Sequence, residues 1–287
     1  MAKILQYQKR RTAPLQIGDA SHPQVSIHLG DSLEKYGEWP TPTTIVSDGP
    51  YGLAKFPGEP NNVESLAEWY APHIAEWGKK ASAETTLWFW CSELAWAEVH
   101  QVLKLHGWKY RAAHIWDKGI GHVAGNCNGE TIRGFPVVTE ICVQYVREVQ
   151  LRDDDGKPCS IKEWLRSEWQ RSGLPLYKTN QASSVKNAAA RKYFTRGKER
   201  IIRKGMQSLH ANQKPLELMR RIIGASTDPG DVVWEPFGGL CSATVASLRM
   251  GRQCYASELI PEYFDAASER INAIYQELPL YEQKRHS

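Results

Sequence analysis

The sequence has no CxxC pair and no Cys/His set at zinc-ligand spacing; its six cysteines, at 91, 127, 142, 159, 241 and 254, are scattered. That scatter argues against a disulfide framework and predicts reduced thiols with no metal site. No apolar run approaches the ~20 residues needed to span a bilayer, so no membrane association is expected. The opening Met-Ala-Lys-Ile-Leu-Gln-Tyr-Gln-Lys-Arg-Arg lacks an apolar core segment. No secretory leader is therefore expected, and the predicted location is the cytoplasm. Internal repeats and low-complexity tracts are absent too, which sets aside solenoids and disordered arrays.

What remains is a chain of 287 residues, 41% apolar and 24% charged, long enough to bury a full core. Its net charge of +4 is unevenly spread. Residues 156–204 hold thirteen Lys/Arg against three acids, an excess of ten, so the rest of the chain is at −6. A basic block on an acidic body suits a polyanionic partner, although a solvated helical face would have the same composition.

Apolar patterning predicts strands at 25–29, 43–46, 85–90, 110–116, 140–147, 232–234 and 253–257. Between them, helical spacing recurs over 65–77, with Pro72 a candidate kink, and through Trp96, Val99 and Leu103. It appears again after Pro215, where Leu216, Met219, Ile222 and Ile223 form one face. Residues 117–136 read as a long Gly/Asn-rich loop. The alternation predicts an α/β protein with a mostly parallel, doubly wound sheet and helices on both faces.

In such sheets ligands sit at the carboxyl ends of the strands. The stretch 25–29 leads to Gly30-Asp31, and 43–46 leads to Asp48-Gly49-Pro50-Tyr51. The strand at 232–234 opens into Glu235-Pro236-Phe237-Gly238-Gly239, and Glu258 stands nineteen residues beyond Gly239 at the end of the next strand. That interval suits a carboxylate gripping ribose hydroxyls, while the glycines admit a ligand at a helix N-terminus. The pattern is not the phosphate-binding GxGxxG, and Glu235 would repel a pyrophosphate. A phosphate-free, cationic nucleoside cofactor, S-adenosylmethionine, fits better. Taken singly, Asp-Gly-Pro-Tyr and the Gly-rich segment also read as ordinary turns.

Together these stretches resemble a known family. Asp48-Gly49-Pro50-Tyr51 resembles the Asp-Pro-Pro-Tyr catalytic motif of DNA amino-methyltransferases, and Glu235 to Gly239 resembles their Asp-Pro-Phe-x-Gly cofactor motif. His210-Ala211-Asn212-Gln213-Lys214-Pro215 is similar to their His-Pro-x-Gln-Lys-Pro. The order, catalytic motif first with the basic segment between, is that of the beta class associated with restriction-modification. The resemblance covers roughly 25–150 and 207–272. It implies a Rossmann-like methyltransferase sheet with an inserted, mainly helical target-recognition region, divided as 1–150, 151–206 and 207–287. It further implies transfer of a methyl group from S-adenosylmethionine to the amino group of a flipped base in double-stranded DNA. Adenine N6 is expected before cytosine N4, because in the family Asp usually accompanies adenine.

On this reading Asp48 and Gly49 accept the amino hydrogens, Pro50 stiffens the turn and Tyr51 stacks on the base. Asp31, Lys214, Glu235, Pro236, Phe237, Gly238, Gly239 and Glu258 are the expected cofactor residues. The chain departs from the family at Gly49, where a proline is usual, at Glu235 for Asp, and at Cys241 for a glycine. These departures predict a looser turn and a side chain intruding on the cofactor. They also keep open a DNA-binding regulator on an inactive methyltransferase fold, and methylation of RNA or of a protein amide remains a further alternative. Pro158-Cys159 matches the nucleophile of cytosine-C5 enzymes, but Ser160 to Glu163 is a capping-box pattern that predicts a helix start there instead.

Within the basic segment, 178–183 and 186–195 have the spacing of a helix-turn-helix. Lys178, Asn180, Lys186, Asn187, Arg191, Lys192 and Arg196 are the candidate DNA contacts, since Asn and Arg can bond base edges bidentately. The sequence leaves open a cognate restriction endonuclease as partner, and a monomer or a homodimer as the assembly.

Overall fold

The computed structural model describes residues 15–19, 22–54, 56–118, 139–147, 151–152, 155, 157–159, 199, 201–202, 209–210 and 212–277. The seven candidate DNA contacts between Lys178 and Arg196, and the helix start expected at 160–163, lie outside these residues.

Eight strands form one sheet in the order β1-β2-β10-β9-β3-β4-β6-β5. They are β1 (Leu15–Asp19), β2 (His22–Leu29), β3 (Thr44–Ser47), β4 (Thr86–Cys91), β5 (Trp108–Asp117), β6 (Thr139–Arg147), β9 (Val232–Glu235) and β10 (Gln253–Glu258). The five central strands, β2, β10, β9, β3 and β4, run parallel. Both edges depart from the parallel expectation. At one edge β1, absent from the sequence reading, pairs antiparallel with β2, and at the other β6 runs antiparallel to both β4 and β5. A separate short pair, β7 (Leu151–Arg152) and β8 (Pro158–Cys159), holds Cys159.

The central strands are apolar on both faces, as strands covered by helices on each side must be. Along β4, Leu87, Phe89 and Cys91 enter one core while Trp88 and Trp90 enter the other; Ile45 and Val46 of β3 divide in the same way. The first core is closed by α1 (Leu66–Lys80) and α2 (Glu93–Leu105), through Tyr70, Ile74, Trp77, Val99 and Leu103. The second is closed by α3 (Leu216–Gly224), α4 (Ser242–Arg249) and α5 (Pro261–Glu277), through Met219, Ile223, Val245, Phe264 and Ile271. Trp77, Trp88, Trp90, Trp108 and Trp234 are fully buried, and each such ring removes roughly 150–250 Å² from water. Two of these indoles also find acceptors in the core: Trp88 Nε1 donates to Ser226 Oγ at 2.7 Å and Trp234 Nε1 to the Pro40 carbonyl at 2.9 Å.

Pro72 lies inside α1, which continues uninterrupted to Lys80. The site is placed by the strand order. From β3 the chain moves outward to β4, whereas from β9 it moves the opposite way to β10, so the connections diverge between β9 and β3. A crevice opens at such a reversal, beyond the carboxyl ends of the strands. No helix among the described residues is long and apolar enough to cross a membrane.

Candidate active site

Asp48, Gly49, Pro50 and Tyr51 follow directly from β3 into this crevice. The absence of a side chain at Gly49 is a packing requirement. A Cβ there would lie 2.4 Å from the Tyr70 hydroxyl and 2.7 Å from Phe237 Cδ2. Tyr70, from α1, donates its hydroxyl to the Pro50 carbonyl at 3.1 Å. The turn that was expected to be loose is therefore braced by a buried phenol filling the space a side chain would take. Glu59 braces the far side, its carboxylate accepting from the backbone nitrogens of Tyr51, Leu53 and Phe56 at 2.9, 3.1 and 3.2 Å.

Lys214 Nζ and the Tyr51 hydroxyl both bond Asp48 Oδ1, at 2.6 and 3.0 Å. Among the described residues no donor reaches Oδ2. Lys214 is in turn 3.4 Å from Glu140 Oε2, and Lys118 Nζ is 3.0 Å from Glu140 Oε1. The result is a row of alternating charge, Asp48, Lys214, Glu140, Lys118, in which the Lys214 side chain is only 2% exposed. Burial opposes the charge on Lys214, yet Asp48 and Glu140 hold its ammonium above the ordinary lysine value. Burial likewise pushes the Asp48 carboxyl up, against the pull of Lys214. Burial acts on Glu140 in the same sense, but there its two lysines win and hold it below the usual carboxylate range.

On the β9 side, Glu235 turns back beneath the N-terminus of α4. Its Oε1 accepts from Ala243 N at 3.0 Å, and its Oε2 from Thr244 N at 2.7 Å and the Thr244 hydroxyl at 2.6 Å. The helix end that could have held a phosphate is thus occupied by an internal carboxylate. Burial raises the Glu235 carboxyl to about 7. Glu258, at the end of β10, accepts from Gly239 N at 2.6 Å and Ile260 N at 2.8 Å; burial raises it to about 7 as well.

Cys241, where the family has a glycine, adopts a glycine-like backbone with φ +53°. Its fully buried side chain belongs to the apolar core beneath α4. The expected intrusion on the cofactor space does not occur, because Cys241 is not among the residues lining the cavity.

That cavity, about 460 Å³, joins both halves of the site. Asp31, Asp48, Gly49, Pro50, Tyr51, Lys214, Glu235, Pro236, Phe237, Gly238, Gly239 and Glu258 all line it, so the structure gathers every predicted catalytic and cofactor residue around one space. For Lys214 and Glu235 the placement differs in detail from the expectation, since the ammonium is engaged at Asp48 and the carboxylate at α4. Asp31 accepts from Leu33 N at 2.9 Å, shaping the turn after β2.

Aromatic rings wall the cavity. Phe237 meets Trp69 and His73 with centroids 5.5 and 5.0 Å apart, and Phe56 stacks on His210 at 5.2 Å, with Tyr263 behind it. Burial lowers His210 and His73 to about 4, so both rings are neutral at physiological pH. Sequence reasoning missed Tyr70, Glu59, Lys118 and Glu140. The signal for Glu140 was its place at the start of a strand, visible only once β6 is known to run antiparallel. Cys159 does not line the cavity. Among the described residues no cluster of His, Cys, Asp or Glu is placed to hold a metal.

Comparison with known proteins gives a family match over most of the chain: the N6/N4 family described as DNA methylase covers residues 43–269. The DNA adenine methyltransferase YhdJ of Escherichia coli (strain K12) is 36% identical over 63 residues, which are 22% of this chain and 21% of that protein. Such matches span about a fifth of the length of the curated relatives. The fold is similar to that of a DNA modification methylase from Thermus thermophilus, TTHA0409, complexed with S-adenosyl-L-methionine. The TM-score is 0.56 at 19% identity, over 86% of this chain and 93% of that one. It is also similar to the PvuII DNA methyltransferase, described as cytosine-N4-specific, with a TM-score of 0.60 at 16% identity over 91% of this chain and 96% of that one.

Proposed function

The chain belongs to the N6/N4 DNA methylase family, and from that membership we propose that it is an S-adenosylmethionine-dependent DNA methyltransferase. Its substrate is the exocyclic amino group of a base flipped out of double-stranded DNA, adenine N6 before cytosine N4. The observation that carries this reading is the single cavity joining Asp48 to Tyr51 with Gly238 to Glu258.

The residues present fit that cofactor. Glu235 closes the α4 N-terminus against phosphate, Glu258 offers a carboxylate to ribose hydroxyls, and Trp69, His73 and Phe237 form a flat apolar wall for a purine. Asp31, Pro236, Gly238 and Gly239 complete the enclosure. When bound, S-adenosylmethionine supplies an electrophilic methyl group.

The protein's task is to make a poor nucleophile attack. The lone pair of an exocyclic amino nitrogen is delocalised into the ring, and two acceptors for its two N–H bonds bias it towards a tetrahedral geometry. Asp48 Oδ2 and the Gly49 carbonyl are free for this role: Lys214 and Tyr51 occupy Oδ1, and Tyr70 occupies the neighbouring Pro50 carbonyl. The proton released by the methylated nitrogen then has the Asp48 carboxylate beside it. Orientation of the two reactants supplies most of the acceleration. Tyr51 stacks on the flipped base, offsetting part of its unstacking cost of a few kcal/mol. The basic segment 156–204 holds the duplex.

The preference for adenine rests on Asp48 in the catalytic motif and on the adenine specificity in the relative's name. Incubation with tritiated S-adenosylmethionine and unmethylated bacteriophage DNA tests the whole reading. Label in N6-methyladenine is the expected outcome, and it is lost in Asp48→Ala with cofactor affinity held within a few-fold. Label in N4-methylcytosine would replace the adenine assignment. DNA binding without transfer would favour a regulator on an inactive fold, and label only in RNA or protein would move the substrate class.

A further inference from the structure

The charge row does not end at Asp48, and no other feature of the site explains its far half. Glu140 opens β6 and Lys118 follows β5, yet the two lie on the same rim as Asp48 because β6 runs antiparallel to β4. Both side chains are 13% exposed and bonded to each other at 3.0 Å. Burying charge is costly, and a pair is retained only where its partners are well satisfied. Here four charges of alternating sign lie in one partly dry row, and at its cavity end Asp48 Oδ2 has no donor among the described residues.

We propose that Glu140 is a positioning residue for methyl transfer: by sharing Lys214 with Asp48, and with Lys118 balancing it, Glu140 keeps Oδ1 pinned while leaving Oδ2 an ionised acceptor for the target amino group. The proposal rests on the methyltransferase reading above.

The reasoning is electrostatic. Were Lys214 paired with Asp48 alone, the carboxylate's charge would be drawn to Oδ1 and its capacity to accept from the substrate would fall. Glu140 Oε2, 3.4 Å from the same ammonium, takes part of that pull. The rings of Trp90 and Tyr51, with centroids 5.2 and 5.6 Å from Lys214 Nζ, hold the ammonium from the sides. Charged and titratable groups face the row from every side: Tyr51 from the catalytic loop, Tyr70 from α1, Cys91 from β4, Cys142 from β6, Glu235 from β9, and His210 from the segment before α3. Of these, His210 is neutral at working pH, and the thiols and phenols are pushed up by burial.

Glu140→Gln keeps the shape and removes the charge. We expect kcat for methylation of bacteriophage DNA to fall at least tenfold, with the calorimetric Kd for S-adenosylmethionine within threefold of the parent. Loss of a neighbouring negative charge makes Asp48 easier to ionise, so the acid limb of the kcat profile should move to lower pH. Lys214 loses a stabilising partner, and its ammonium resonance in 15N-lysine-labelled protein should titrate at lower pH. Glu140→Asp should restore part of the activity. Adding Lys118→Gln to Glu140→Gln should also restore part, because it removes the unbalanced cation.

Parental kcat in Glu140→Gln overturns the proposal. So does a loss of activity with the acid limb and the Lys214 titration unmoved, which is what a purely structural role would give. If the parent protein itself transfers no methyl group to DNA, the functional reading fails, and the lysine titration still decides whether Glu140 governs Lys214.

Discussion

Glu235 caps a helix that begins seven residues after it: Thr244 donates both its backbone nitrogen and its hydroxyl to Glu235 Oε2, at 2.7 and 2.6 Å. Position Cys241, which precedes α4, makes no side-chain cap of its own. The strand carboxylate supplies what a Ser or Asp at that position normally would. Glu235→Ala leaves two buried N–H groups and a hydroxyl without an acceptor. It should cost about 1–3 kcal/mol in urea unfolding. Glu235→Gln, which retains one acceptor oxygen, should cost less. Equal unfolding midpoints for parent and Ala variant would reject the capping role.

Gly49 and Tyr70 occupy one another's space, so their substitutions should not add. Gly49→Ala places a methyl group against the Tyr70 hydroxyl and the Phe237 ring. Overpacking of this kind typically costs about 1–3 kcal/mol. Tyr70→Phe removes the hydroxyl along with its bond to the Pro50 carbonyl, relieving one of the two clashes. The double variant should therefore be more stable than the sum of the single losses by about 0.5 kcal/mol or more, measured as a double-mutant cycle. Strict additivity would mean that the contact does not constrain Gly49.

Much of this site was legible along the chain, and what escaped has physical reasons. Asp48, Glu235 and Glu258 each follow or end an apolar stretch, which marks the carboxyl end of a buried strand. Glu140 stands at the beginning of such a stretch, and a parallel sheet would have placed it at the opposite rim. Strand direction is a property of pairing, which no local pattern reports. Gly49 reads locally as slack, because the phenol that fills its space comes from α1, about twenty residues away. Cys241 reads as an obstacle for the same reason: its direction depends on the left-handed backbone at that position, which sends the thiol into the core. β1 is short and joined to its neighbour through an irregular turn, too little periodicity to stand out.

The basic segment can be tested by salt dependence. If Lys186 contacts phosphate, Lys186→Ala should weaken binding to every duplex alike and reduce the slope of log affinity against log salt by about 0.9. If Arg191 reads a base edge, its replacement by Ala should cost about 1–3 kcal/mol of discrimination and relax the methylated sequence. Binding of both variants to target and scrambled duplexes over a salt series separates the two roles. Parental behaviour in both would move recognition away from these residues, with the loop at 117–136 the next segment to test.

Glu258 links cofactor binding to pH in a direction that can be stated in advance. Burial raises its carboxyl from 4.5 to about 7 in the folded protein. A carboxyl raised in this way contributes stability that is present below pH 4.5 and lost as the pH rises through about 7. Gripping ribose hydroxyls requires the opposite, an ionised acceptor, so cofactor affinity should increase over the same interval. The two trends oppose each other, and S-adenosylmethionine should raise the melting temperature more at about pH 8 than at about pH 5.5. Glu258→Gln should melt with less pH dependence between pH 4.5 and about 7 and should show no such difference in its response to the cofactor. Its affinity at about pH 8 should fall by roughly 1.5–3 kcal/mol, the worth of charge-assisted hydrogen bonds. An unchanged calorimetric Kd in that variant would remove Glu258 from the cofactor site and leave it as a brace between Gly239 and Ile260.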